Sequence, residues 1–128
     1  MTERTEQQRE AVAERDRDVF LRAGAGTGKT TVLVERFCSA ALDPEMGIER
    51  ILAFTFTERA ADQLRRRVRE ELSERALSGQ GSERDELLAV AEASDRAWIS
   101  TIHGFCSRLL RAHPFAAGLD PRFREIED

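Results

Sequence analysis

Ala23-Gly24-Ala25-Gly26-Thr27-Gly28-Lys29-Thr30 is the stretch on which the fold of this chain turns. Just before it, Val19-Phe20-Leu21-Arg22-Ala23 is a short apolar run with charge on one side and glycines on the other, the pattern of a buried strand. After it, Val32, Leu33, Phe37, Ala40 and Ala41 recur at helical spacing from Lys29 to Leu42. Asp43-Pro44 stops that helix, because proline disfavours helical geometry in the residue before it. Strand, glycine loop and helix together are the context that a phosphate-binding loop requires. Gly24, Gly26 and Gly28 would let the backbone wrap close to phosphate oxygens, with the N–H groups of Ala25, Gly26, Thr27 and the helix start facing the anion. Lys29 would neutralise the β- and γ-phosphates, and the Thr30 hydroxyl would complete the coordination of Mg²⁺. ATP and Mg²⁺ are the ligands this implies. Ala23 stands where the general motif has glycine.

Outward from the loop, Thr5-Glu6-Gln7-Gln8 has the form of a capping box and predicts a helix from about Glu6 to Arg15. A second unit begins at Ile51-Leu52-Ala53-Phe54-Thr55-Phe56, rich in strand formers. Thr57 can cap a helix whose apolar stripe is Ala60, Ala61, Leu64, Val68 and Leu72. Ser78 to Ser82 is linker-like but too short to divide domains. A helix from about Glu83 to Ala93, a strand at Trp98-Ile99-Ser100 and a helix from His103 to Ala112, ended by Pro114, complete the pattern. Alternation of this kind predicts a parallel sheet with helices on its faces, an α/β chain.

Composition sets the outer limits. In 128 residues there are 20 basic and 24 acidic side chains, a net charge of -4. Lys29 is the sole lysine; every other basic side chain is arginine. That suits its position, where a compact ammonium must fit among phosphates and a forked guanidinium would replace it poorly. The length allows one domain or part of one, and is too short for a motor of two complete nucleotide-binding domains. No apolar run approaches the ~18 residues of a membrane span, and residues 1–17 lack the apolar core of a secretory signal, so no membrane partner is expected and the location defaults to the cytoplasm. Cys38 and Cys106 match no metal-ligand spacing and are read as reduced, small core residues.

Hydrolysis of a nucleotide needs a second carboxylate site, usually at the end of an apolar strand, to hold Mg²⁺ and orient water. No such pair appears. Glu58 follows the strand but opens a helix, and is read as a helix N-terminal charge. Glu127-Asp128 follow no full apolar strand.

Four blocks, in order, resemble the N-terminal part of the first motor domain of superfamily 1 DNA helicases of the UvrD, Rep, PcrA and RecB/AddA type. Glu6 to Val12 resembles the Q motif, and AGAGTGKT is similar to the family's phosphate loop, alanine at its first position included. LAFTFTERAADQLRRRV, Leu52 to Val68, looks like motif Ia, and WISTIHGFCSRLLRAH, Trp98 to His113, looks like the following DNA-contacting motif. The resemblance covers nearly all of residues 1–128 and implies an incomplete RecA-like P-loop domain, part of motor domain 1A.

By that resemblance Gln8 would hydrogen-bond adenine, which an amide able to donate and accept can do. Thr31 would lie beside the nucleotide, where many members carry arginine, and Arg67 would approach the γ-phosphate. Thr55, Phe56, Thr57, Thr101 and His103 would face single-stranded DNA, rings stacking on bases and hydroxyls meeting phosphates. Arg108 and Arg111 are further phosphate-contact candidates. Without the resemblance, Gln8 reads as a capping residue, Phe56 is open between core and ligand, His103 reads as a surface residue at a helix start, and Arg65, Arg66, Arg67 and Arg69 read as a solvated face balanced by Glu70 and Glu71.

The implied function is ATP-driven translocation 3′ to 5′ on single-stranded DNA and duplex unwinding in repair or recombination, with a second protein as partner if the chain is RecB/AddA-like. Residues 1–128 alone would neither hydrolyse ATP nor unwind, and their acidic balance predicts weak DNA binding. The alternative is a self-standing or remnant nucleotide-binding module. A small-substrate kinase lacks a recognisable lid and leaves the later motifs unexplained.

Overall fold

A computed structural model of the chain describes residues 5–22, 24 and 28–126. Helix α1 (Glu6–Ala13) starts at the expected capping box: Thr5 Oγ1 accepts from the Gln8 backbone N–H at 3.2 Å, and Gln8 Oε1 accepts from the Thr5 backbone N–H at 3.1 Å. It ends two residues earlier than predicted, because Glu14 turns its carboxylate onto the N–H groups of Asp16 and Arg17. Helix α2 (Lys29–Ala41) follows the loop and buries Val32, Phe37 and Ala41 of the expected stripe together with Val34 and Cys38, whereas Leu33 of that stripe is 43% exposed and Ala40 is half-buried. Strand β1 (Leu52–Thr55), helices α3 (Glu58–Ser78) and α4 (Gly81–Ala93), strand β2 (Trp98–Thr101) and helix α5 (Ile102–Ala112) complete the described elements, with single 3₁₀ turns before each strand.

β1 and β2 pair in parallel, Ala53 opposite Ile99 and Thr55 opposite Thr101. Two parallel neighbours need a crossover, supplied here by α3 and α4. Side chains alternate across the pleat, so Ala53 and Ile99 enter the core while Phe54 and Trp98 point to the opposite face. The buried face packs on α3 through Leu64, Val68 and Leu72, with α2 and α4 closing the cluster through Phe37, Cys38, Leu87 and Ala91. On the other face, Phe105 of α5 meets Phe54 and Trp98 edge to face at 5.2 and 5.5 Å. The expected parallel sheet with helices on both faces is present.

Three expectations are corrected. Val19–Arg22 form no strand; Phe20 is 87% exposed and Val19 40%, and Ala23 lies outside the described residues. An apolar run becomes a strand only when another backbone completes its ladder, and among the described residues β1 and β2 pair only with each other. The linker shrinks to Gly79 and Gln80, since α3 keeps its apolar stripe through Ala76 and runs on to Ser78. Cys38 is buried as read, with burial pushing its thiol up to about 12, but Cys106 is exposed because α5 buries no residue fully. Both thiols are free.

Candidate nucleotide and DNA-contacting site

Ala25, Gly26 and Thr27 lie outside the described residues, so the loop is seen from its exit. Gly28 caps α2 with φ 85° and ψ 16°, left-handed geometry in which a Cβ is strained. Its own carbonyl accepts from Val32 N–H at 3.0 Å, closing the first turn and leaving Lys29, Thr30 and Thr31 exposed. A Cβ built on Gly28 would stand 3.7 Å from Gln8 Nε2, so the amide of α1 borders the last glycine of the loop. Gln8 thus has the capping role read from sequence and, from that position, borders the loop.

Two arginines unmarked by any sequence signal hold α1 in that place. Arg36 of α2 donates to the Ala11 carbonyl at 2.5 Å, and Arg15 bridges from the Val12 carbonyl (2.7 Å) to Ser39 Oγ (2.8 Å). Both carbonyls lie in the last turn of α1, where peptide acceptors have no helical partner. Arg67 of α3 reaches the same region: its Nη2 donates to Thr31 Oγ1 at 3.1 Å, one residue from Thr30. The arginine run is thus more than a solvated face. Arg65 also donates to the Ile99 carbonyl at 2.6 Å, pinning α3 to β2, and Arg69 pairs with Asp95.

At the C-terminal ends of β1 and β2 the two helices that follow begin side by side. Thr57 Oγ1 accepts from Ala60 N–H at 3.1 Å and Thr101 Oγ1 from Gly104 N–H at 3.1 Å, each satisfying one N–H at its helix start. Glu58, read as a helix N-terminal charge, is also the joint between them: its carboxylate accepts from the Thr101 hydroxyl at 2.8 Å. Gly104 permits that approach, since a Cβ there would stand 3.3 Å from Thr101 Oγ1 and 3.5 Å from Glu58 Oε1. Thr101 is only 8% exposed and its hydroxyl is doubly engaged, whereas Thr57 and His103 are exposed at the surface. Thr55 donates to the Thr57 carbonyl at 2.9 Å, tightening the turn that carries Phe56. Phe56 is 99% exposed, which excludes the core reading and leaves an aromatic ring standing in solvent. Toward the amino end of β2, one turn further along α5, the Arg108 guanidinium lies 4.0 Å over the Trp98 ring.

What the geometry defines is an α/β unit whose helix starts gather small hydroxyl side chains and the exposed rings of Phe56 and His103 at the sheet's carboxyl end, with a left-handed glycine and a lysine opening a further helix. Residues 4–128 match the family model described as the UvrD/REP helicase N-terminal domain, and the chain belongs to that family. It is similar to an ATP-dependent helicase/nuclease subunit of Pelotomaculum thermopropionicum, 42% identical over 97% of this chain and 10% of that protein. The proteins of the same name from a Thermoanaerobacter species and from Bacillus mycoides are each 39% identical, over 99% and 94% of this chain respectively. The chain spans about a tenth of the length of these relatives. No helix among the described residues is long and apolar enough to cross a membrane.

Proposed function

We propose that this chain is the nucleotide-binding and DNA-contacting N-terminal portion of a RecA-like motor domain 1A in an ATP-dependent DNA helicase, one that moves 3′ to 5′ on single strands during repair or recombination. The observation that carries the reading is the convergence on the first turn of α2, with left-handed Gly28 beside Gln8 and Arg67 on Thr31. Gln8 orients the base, the N–H groups of Ala25 to Lys29 hold the phosphates, and Lys29 neutralises their charge. Arg67 exchanges Thr31 for the γ-phosphate. The exposed Thr30 hydroxyl fits an Mg²⁺ held mainly by nucleotide oxygens and water, the usual habit of that ion. Bound Mg²⁺ would neutralise charge on the phosphoryl oxygens. Phe56 and His103 offer planes to bases, Thr55 and Thr57 lie beside the phosphates, and Thr101 holds the turn that presents His103. The protein works in the cytoplasm and with a partner protein, since its relatives are named for one subunit of a helicase/nuclease. Residues 1–128 bind nucleotide without hydrolysing it.

Titration of a fluorescent ATP analogue tests this. Lys29→Ala weakens binding by at least about ten-fold, the loss of one charge-assisted contact to phosphate. Gln8→Ala weakens the adenine analogue more than its guanine counterpart. Equal affinity of the native chain and Lys29→Ala would overturn the reading.

A further inference from the structure

Along one side of α5, His103, Ser107 and Arg111 follow one another at four-residue spacing with Arg108 beside them, a polar and cationic row one turn apart. The chain does not leave this row open. After the turn at residues 114–119, Asp120 accepts from the Arg122 and Phe123 N–H groups at 2.8 and 2.9 Å, folding residues 120–126 back over the helix. The Phe123 ring lies 4.9 Å from the Arg111 guanidinium carbon. Glu125 Oε1 accepts at once from Ser107 Oγ and from Arg111 Nη2, the latter at 3.1 Å. The adjoining cleft is lined by Glu58, His103, Gly104, Arg108 and these three residues, so it opens onto the joint between α3 and α5.

A hydroxyl and a guanidinium converging on one anionic oxygen form a donor set suited to a phosphodiester. Here a carboxylate of the same chain fills it. We propose that Glu125 is an internal phosphate mimic: residues 120–126 form a strap that occupies a phosphodiester subsite made by Ser107 and Arg111, and single-stranded DNA must displace it to engage α5. The inference rests on the DNA-contacting reading of this face. The Ser107 hydrogen bond, then the Arg111 charge, hold the Glu125 carboxyl below its ordinary value, so the mimic is charged at neutral pH. Arg111 and Glu125 are each about half exposed, 53% and 50%, which keeps the contact shallow and reversible. Each exposed contact of this kind changes an equilibrium by only a few fold, which sets the size of the effect.

The test uses the full 128-residue chain, Glu125→Ala, Glu125→Gln, Arg111→Gln and the double variant Glu125→Ala/Arg111→Gln, with circular dichroism as the check on folding. Binding of a labelled oligothymidylate is read by fluorescence anisotropy at low salt. Either Glu125 variant binds about two- to five-fold more tightly than the native chain, and the double variant loses the gain. If the native chain and both Glu125 variants bind equally, the strap is overturned while the DNA reading stands. If none of them binds, tripolyphosphate titrated against Trp98 fluorescence decides, with Lys29→Ala present in both proteins to remove binding at the phosphate loop: binding when Glu125→Ala is added but not without it supports the strap although the DNA reading has failed, and any other result overturns it.

Discussion

Replacing Thr101 by valine removes one hydroxyl and leaves the shape of the side chain almost unchanged. In the native chain that hydroxyl accepts from Gly104 N–H at 3.1 Å and donates to Glu58 at 2.8 Å, in a side chain only 8% exposed. Loss of the cap costs about 1 kcal/mol. The bond to Glu58 would be worth about 1.5–3 kcal/mol if fully buried, but Glu58 is exposed and water replaces the lost donor, so about 0.5–1 kcal/mol is expected. Thr101→Val should therefore destabilise the chain by about 1.5–2 kcal/mol. At about 4 °C per kcal/mol for a domain of this size, Tm falls by roughly 6–8 °C. Thr101→Ser keeps the hydroxyl, loses a methyl and costs about 1 kcal/mol or less. Urea unfolding with an unchanged m-value would read both. The functional half of the expectation is that valine, freeing α3 and α5 to move apart, weakens oligothymidylate binding several-fold, while serine does not. If valine and serine proved equally stable and bound DNA alike, the joint between the two helix starts would have no energetic content and the reasoning would fail.

Phe56→Ala should leave Tm within about 1 °C of the native value, because the ring is 99% exposed and buries nothing. The same change should weaken oligothymidylate binding by about 1–3 kcal/mol, the range for one base stacked on an aromatic ring, and unchanged affinity would remove Phe56 from the interface. With a thiol reagent at pH 8, Cys106 should react promptly and Cys38 only on unfolding, since burial raises the Cys38 thiol to about 12; rapid labelling of both thiols in the folded chain would contradict the packing of α2. Glu125 has its carboxyl lowered by Ser107 and Arg111, so its contribution is fully present above the ordinary carboxylate range and is lost as pH falls through the folded value. An NMR titration of the Glu125 side chain should show the depressed midpoint, and Arg111→Gln should move it upward; a midpoint indifferent to Arg111 would dissolve the pair.

Where sequence reasoning succeeded, the signal was local. A capping threonine with an amide three residues later needs only its own turn, and α1 begins at that box. The stripe Ala60, Ala61, Leu64, Val68 and Leu72 needs only the helical period, and all of it but half-buried Ala60 forms the buried side of α3. Success ended where a distant partner decides. Val19-Phe20-Leu21 has strand composition but finds no ladder partner among the described residues. Arg36 and Arg15 carry no signal in the sequence and gain a role only where α1 lies against α2 and offers them its last carbonyls. Glu58 was legible as a helix-start charge, but its bond to Thr101 spans 43 residues and no spacing rule reaches that far.

By itself the sequence determined the described helices and the two paired strands in their order, though not the absence of a strand at Val19–Arg22, together with the capping residues, the phosphate-loop pattern with its lone lysine and the family to which the chain belongs, because short-range periodicity and contiguous motifs carry each of these. Only the tertiary structure decided that Gln8 borders Gly28, that Arg67 rests on Thr31, that Phe56 stands in solvent and that Glu125 covers Arg111. Each of those depends on which surfaces meet once the apolar stripes of α2, α3 and α4 are buried together with β1 and β2. Burial is non-directional and takes every apolar side chain in the same way. The polar contacts that follow are set by the relative placement of whole elements, which no single stretch of the chain encodes.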